Sequence, residues 1–193
     1  FLCNARSALR LTRAALGAIV SEGTASACAG ICVFHAAYPY DLAYNLAEDA
    51  CSSAKKRMRE QYRQGNVGSE SSWIDFHYIH NGICQRLDEI RDVQGTERLM
   101  ARPLCSDAGA ALTSPTVTRL DQMATALKEA GVTRTNIKAL GTALEISREQ
   151  GLAEWLRVTS RAAELKDSLA GMDEDQLLKL LYDLSEFYDL WWA

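Results

Sequence analysis

A chain of 193 residues, 48% of them hydrophobic, can bury one good core, or a core with a helical appendage. Its 21 basic and 25 acidic side chains leave a formal net charge of -4, which excludes a nucleic-acid binder working by bulk electrostatics and leaves local patches to attract anions. Six cysteines without a close Cys-x-x-Cys pair read as reduced, mostly buried thiols of a cytoplasmic protein, not a zinc site, and no apolar run approaches membrane-spanning length.

Phe1 to Cys3 reads as the tail of a strand. Because the sequence opens on that short apolar run without a methionine, it reads as a piece of a longer protein. Ala5 to Val20 is expected to be a helix with Ala8, Leu9, Thr12, Ala15, Leu16 and Ile19 on one face, ended by the turn at 21–24. Ala27 to Ala36, small and β-branched without charge, suits a strand buried on both faces. Pro39 then precedes a long helix from about Tyr40 to Gln64, and a polar loop at 65–72 follows. Trp73 to Ile79 alternates like a strand.

The character changes after Gly82. Residues 83–115, with Arg102-Pro103, Gly109 and Ser114-Pro115, read as a connecting region holding one short helix near Cys84 to Val93. From Thr116 the pattern is helical: Thr116 to Ala130 closed by Gly131, Thr135 to Gln150 closed by Gly151, and Leu152 to Leu169. The last helix, Asp173 to Trp192, opens on an Asp173-x-x-Gln176 capping pattern. Its aromatic end, Phe187 to Trp192, reads as packing into the bundle, and the acidic run at Asp173 to Asp175 as a solvated face. The expected class is α+β: a partial ferredoxin-like palm (βαβαβ) at 1–82, the connecting region at 83–115, and an all-α bundle at 116–193.

The stretch from Ala47 to Arg59 places Lys55 and Arg59 one helical turn apart, in a run where Lys55 to Arg63 holds five basic residues and one acidic. Two cations so spaced can hold a polyphosphate, and a solvated helix end favoured by the helix dipole would look the same. Gly30 permits close backbone approach, either to a ligand or to a helix packed on the strand. Asp75 and His77 share one strand face, His80 takes the other and Cys84 lies past a glycine turn, so these residues and His35 make a poor metal site. No motif supports a serine or cysteine nucleophile.

Ala27-Cys28-Ala29-Gly30-Ile31-Cys32, Tyr38-Pro39-Tyr40 and residues 47–59 resemble the second half of a GGDEF or nucleotidyl-cyclase palm domain, whose helix runs A-D-x-A-L-Y-x-A-K-x-x-G-R. Ala47, Ala50, Ala54, Lys55 and Arg59 match that pattern, while Glu48, Ser52 and Met58 replace its aspartate, tyrosine and glycine. With His35, the strand Ile74-Asp75-Phe76-His77 and Arg102-Pro103, the order is similar to the second palm domain of the large subunit of type III CRISPR effector complexes. The helical remainder resembles, less specifically, the C-terminal helical domain of that subunit.

The resemblance implies a nucleotidyltransferase that makes cyclic oligoadenylate from ATP with two divalent metals, Mg or Mn, held by acidic residues. It implies triphosphate contacts by Lys55 and Arg59, with Gly30 beside them. Other effector subunits and guide RNA are the partners it implies, and a membrane is not among them. The Gly-Gly-Asp-Asp hairpin of that family would lie just before Phe1, so no catalytic or metal-binding residue is expected within this sequence. The alternative is a palm without catalysis, joined to a helical scaffold that binds a protein or RNA.

Overall fold

In the computed structural model, residues 1–21, 26–67, 71–80, 86–94, 97–106, 115–160 and 172–192 are described. They form an α+β chain of seven α-helices and a small mixed sheet of three strands. Two compact units divide it, one of Phe1–Gln94 with Arg102–Thr118 and one of Gly95–Ala101 with Arg119–Ala193.

The first unit starts with α1 (Ala5–Ser21), which buries Ala8, Leu9, Thr12 and Leu16 at the spacing of one helical face. Ala15 and Ile19, expected on that face, are exposed. Strand β1 (Cys28–Val33) follows, then α2 (Tyr40–Arg63), β2 (Trp73–Tyr78) and α3 (Leu87–Gln94). Helix α2 stops where Gly65 takes a φ of 73° and the Asn66 amide donates back to the Gln61 carbonyl at 3.0 Å, a left-handed cap that suits glycine. β1 and β2 run parallel, in register from Cys28 opposite Trp73 to Val33 opposite Tyr78. The third strand, β3 (Leu104–Cys105), pairs antiparallel with Ile74 and Trp73. Two apolar clusters fix α2 and α3 over the sheet: Leu46, Ala50, Leu87 and Ile90 in one, Ala54, Val67, Trp73 and Cys105 in the other.

Three expectations are corrected in this unit. Phe1 to Cys3 is not a strand: no ladder partner holds it among the described residues, and Phe1 and Leu2 are 87% and 70% exposed. The βαβαβ order therefore loses its first strand. β1 is also less enclosed than a strand buried on both faces, with Ile31 and Val33 buried and Cys28 to Gly30 only half-buried. Within the stretch read as connecting, the two buried residues of β3 complete the sheet, too short a strand to leave a period in the sequence.

The second unit holds a 3₁₀ turn (Glu97–Leu99), the helix α4 (Val117–Glu129) from Arg119 onward, and the helices α5 (Arg134–Ile146), α6 (Arg148–Thr159) and α7 (Glu174–Trp191). Gly131, at φ 69°, ends α4 as expected. Gly151 does not end a helix. The break falls at Ser147, whose hydroxyl accepts from the Gln150 amide at 3.2 Å and so starts α6, while Gly151 sits inside α6 against the Leu144 side chain. Of the helix expected from Leu152 to Leu169, the stretch to Thr159 is helical within α6, with Ser160 as its cap, and residues 161–169 lie outside the described residues. α7 opens on Asp173, whose carboxylate accepts from the Gln176 amide, and packs along α5, where Gly141 admits Ser185. Phe187 and Tyr188 are buried, and Trp191 stacks on Phe187 with ring centroids 4.6 Å apart. The acidic run is partly paired, not merely solvated: Arg148 bridges Glu174 and Asp175. The buried Asp183 accepts from the Ala101 amide at 3.0 Å and ties that segment to α7.

Candidate functional site

Small residues let α2 lie low over β1. Ala43, Ala50 and Ala54 are buried along the helix, and at Gly30 the Ala47 carbonyl and the Cys51 amide come so near that a methyl group would overlap backbone atoms. Gly30 is thus the seat of the helix on the strand. The Cys51 thiol donates to the Cys28 carbonyl at 3.4 Å, and the Cys28 thiol lies 3.7 Å from the Met58 sulfur.

Lys55 and Arg59 emerge from this seat. Both are exposed, and neither makes an ion pair with a described residue, in contrast to Arg57, which meets Glu60 at 3.9 Å. They stand near Cys28 at the start of β1, which is an edge of the sheet among the described residues. Burial pushes the Cys28 thiol above its ordinary value; a backbone hydrogen bond with Trp73 and the charges of Lys55 and Arg59 pull the other way. Tyr40, Tyr44 and Tyr62 are exposed on α2, and the Tyr44 hydroxyl donates to Glu48 at 2.8 Å. The site is therefore a pair of available cations, one turn apart, on a helix fixed to the edge strand. It can bind an anion with more than one charged oxygen.

A metal is a different matter. Among the described residues no group of three or more His, Cys, Asp or Glu could hold one. Asp75, the carboxylate nearest the sheet's centre, is fully buried and held by Arg91 through two bonds, Nη1 to Oδ2 at 2.8 Å and Nη2 to Oδ1 at 2.9 Å. His77 is buried on β2, His80 packs edge-on to Tyr78 at 4.4 Å, and the exposed His35 accepts from the Ala37 amide. Cys84 lies outside the described residues. These residues do not fit a divalent metal.

The Asp75–Arg91 pair and the contact of Asp49 on α2 with the Leu87 amide at 3.0 Å were not read from the sequence. A carboxylate within an apolar strand signals that a partner exists. Which cation answers it depends on a loop closure that leaves no local pattern. No protein-family model matches this chain, and no curated protein sequence does. Among the described residues no helix is long and apolar enough to cross a membrane.

Proposed function

We propose that this chain provides the triphosphate-binding part of a palm-type nucleotidyl-transfer domain similar to that of type III CRISPR large subunits, with ATP as substrate and oligoadenylate as product. The observation that carries this reading is the available Lys55 and Arg59 pair, one turn apart on a helix that Gly30 seats against the edge strand. Such a pair neutralises phosphate oxygens and favours the charge that builds up as the phosphoryl group moves. Divalent metal would supply activation of the attacking hydroxyl, and the described residues do not fit it. Effector subunits and RNA belong to the same proposal as partners.

Titration calorimetry of the chain with ATP, inorganic triphosphate and adenosine tests the site. ATP and triphosphate are expected to bind and adenosine not, and Lys55→Ala or Arg59→Ala each to weaken binding about tenfold, near the lower end for a charge-assisted bond. Equal ATP affinity in the double variant would remove these residues from the reading. The full-length gene product, given labelled ATP and manganese, should form oligonucleotides; if it forms none, the enzymatic reading fails while the phosphate site can still stand.

A further inference from the structure

Three sulfur atoms gather beside the seat of α2, none of them given a role in phosphate binding. Gly30 and Cys28 lie two residues apart on β1 and so share the face under the helix. Because Gly30 lets the α2 backbone down onto the strand at Ala47 and Cys51, the Cys28 side chain meets the helix directly. Its thiol lies 3.7 Å from the Met58 sulfur, and the Cys51 thiol lies 3.4 Å from the Cys28 carbonyl. Cys51 and Met58 stand about two turns apart along one face of α2, and a long helical side chain leans back towards the N-terminus, here towards Cys51.

Packing accounts for one side of this group. Cys28 and Met58 rest against the buried cluster of Ala54, Val67, Trp73 and Cys105, which gives the sulfurs a dry wall. It does not account for the other side. All three residues are half-buried, and β1 is an edge of the sheet among the described residues, so an ion can reach them from solvent. Two thiols and one thioether form a soft set of three donors, which suits Cu(I) and falls short of the four ligands that zinc takes. Two thiolates around a monovalent cation leave an excess negative charge, and Lys55 and Arg59 stand near enough to Cys28 to offset it.

We propose that Cys28, Cys51 and Met58 form a binding site for a soft monovalent metal ion, Cu(I), held by two thiolates and the thioether between β1 and α2. Both thiols give up their protons to solvent on binding while the ion keeps its oxidation state, so affinity rises with pH. The ion joins the strand to the helix. Unfolding separates its ligands, and bound metal therefore stabilises the fold.

The test is a titration of the fully reduced chain with Cu(I) under nitrogen, in competition with the colour-forming chelator bathocuproine disulfonate. No nucleotide is present, so failure here and failure of the ATP site are read separately. The chain is expected to withdraw one equivalent of Cu(I), to melt at a higher temperature with it, and to bind it more tightly at pH 8 than at pH 6. Cys28→Ser/Cys51→Ser should lose both the equivalent and the rise in melting temperature with unchanged circular dichroism, whereas Cys3→Ser/Cys32→Ala should lose neither. Met58→Leu, close in volume, should weaken Cu(I) binding about tenfold or more. No withdrawal of Cu(I) from the chelator would overturn the proposal. Full withdrawal by Cys28→Ser/Cys51→Ser would overturn it too, by placing the metal on other thiols, and wild-type affinity in Met58→Leu would overturn the three-sulfur set. A Cys28–Cys51 disulfide formed in air and read by mass spectrometry, with no uptake of Cu(I) by the reduced chain, would replace the metal site with a redox switch.

Discussion

Asp75 and Arg91 illustrate what one buried contact asks of its neighbours. The guanidinium satisfies both carboxylate oxygens and also donates to the Phe76 carbonyl at 3.1 Å, all under the α3 side of the sheet. Removing one partner leaves the other charge buried without compensation, a loss of about 3–5 kcal/mol, whereas removing both leaves an apolar site that can repack. Urea unfolding should therefore show Arg91→Met as far less stable than Asp75→Leu/Arg91→Met. Additive losses in the double variant would count against this account. Cys32 offers a pH readout in the same region, since burial pushes its thiol from 9.0 up to about 12. Above pH 9 the unfolded chain gives up this proton while the folded chain keeps it, so the folded state binds more protons and stability falls as pH rises towards 12. Below pH 9 the contribution is fully present. Comparing unfolding midpoints of wild type and Cys32→Ala between pH 8 and 10.5 isolates it: the wild type should lose more stability over that range, and parallel losses would show that burial of the thiol has no such effect.

The helix and strand that carry the candidate site depend on each other through Gly30. Because the overlap at this position is with backbone atoms of Ala47 and Cys51, no rotamer change can relieve it. Gly30→Ala must lift α2 from β1, and overpacking of this kind costs about 1–3 kcal/mol or more. The expected outcome is a lower unfolding midpoint together with weaker ATP binding, since Lys55 and Arg59 move with the helix. A Gly30→Ala variant as stable as wild type would contradict the seat. Elements of this kind were legible wherever a local rule acted: α2 from its period, its proline start and its glycine stop, and α7 from Asp173 and Gln176. The break between α5 and α6 was misplaced because two signals compete there. Gly151 has the residue type of a helix stop, but Ser147 supplies the amide with a side-chain acceptor, and Leu144 fills the space that Gly151 leaves. Lys55 and Arg59 could be named from spacing alone, whereas the role of Gly30 required knowing which surface lay above it. β3 and the Arg91 partner of Asp75 were illegible for a related reason: both are made by residues distant in sequence.

At the scale of the whole molecule, the formal charge of -4 opposes the approach of any polyphosphate, while Lys55 and Arg59 favour it. Which one wins depends on range. At 0.15 M salt the screening length is about 8 Å, so exposed charges further away are largely damped and a pair in contact with the ligand is not. This separates two accounts of ATP binding. If the field of the whole protein governed affinity, a change in net charge would matter wherever it was made; if the local pair governs it, only changes at the pair would. Asp41→Asn removes one exposed negative charge from α2 itself, about 21 Å of helix rise from Lys55. At 0.15 M salt this variant should bind ATP within about twofold of wild type, while Lys55→Ala, an equal change in net charge, weakens binding about tenfold. The same comparison at 0.01 M salt, where the screening length is about 30 Å, should bring out a modest gain from the asparagine variant. A gain at 0.15 M as large as the loss in Lys55→Ala would place the binding energy in the overall field and take the site away from α2.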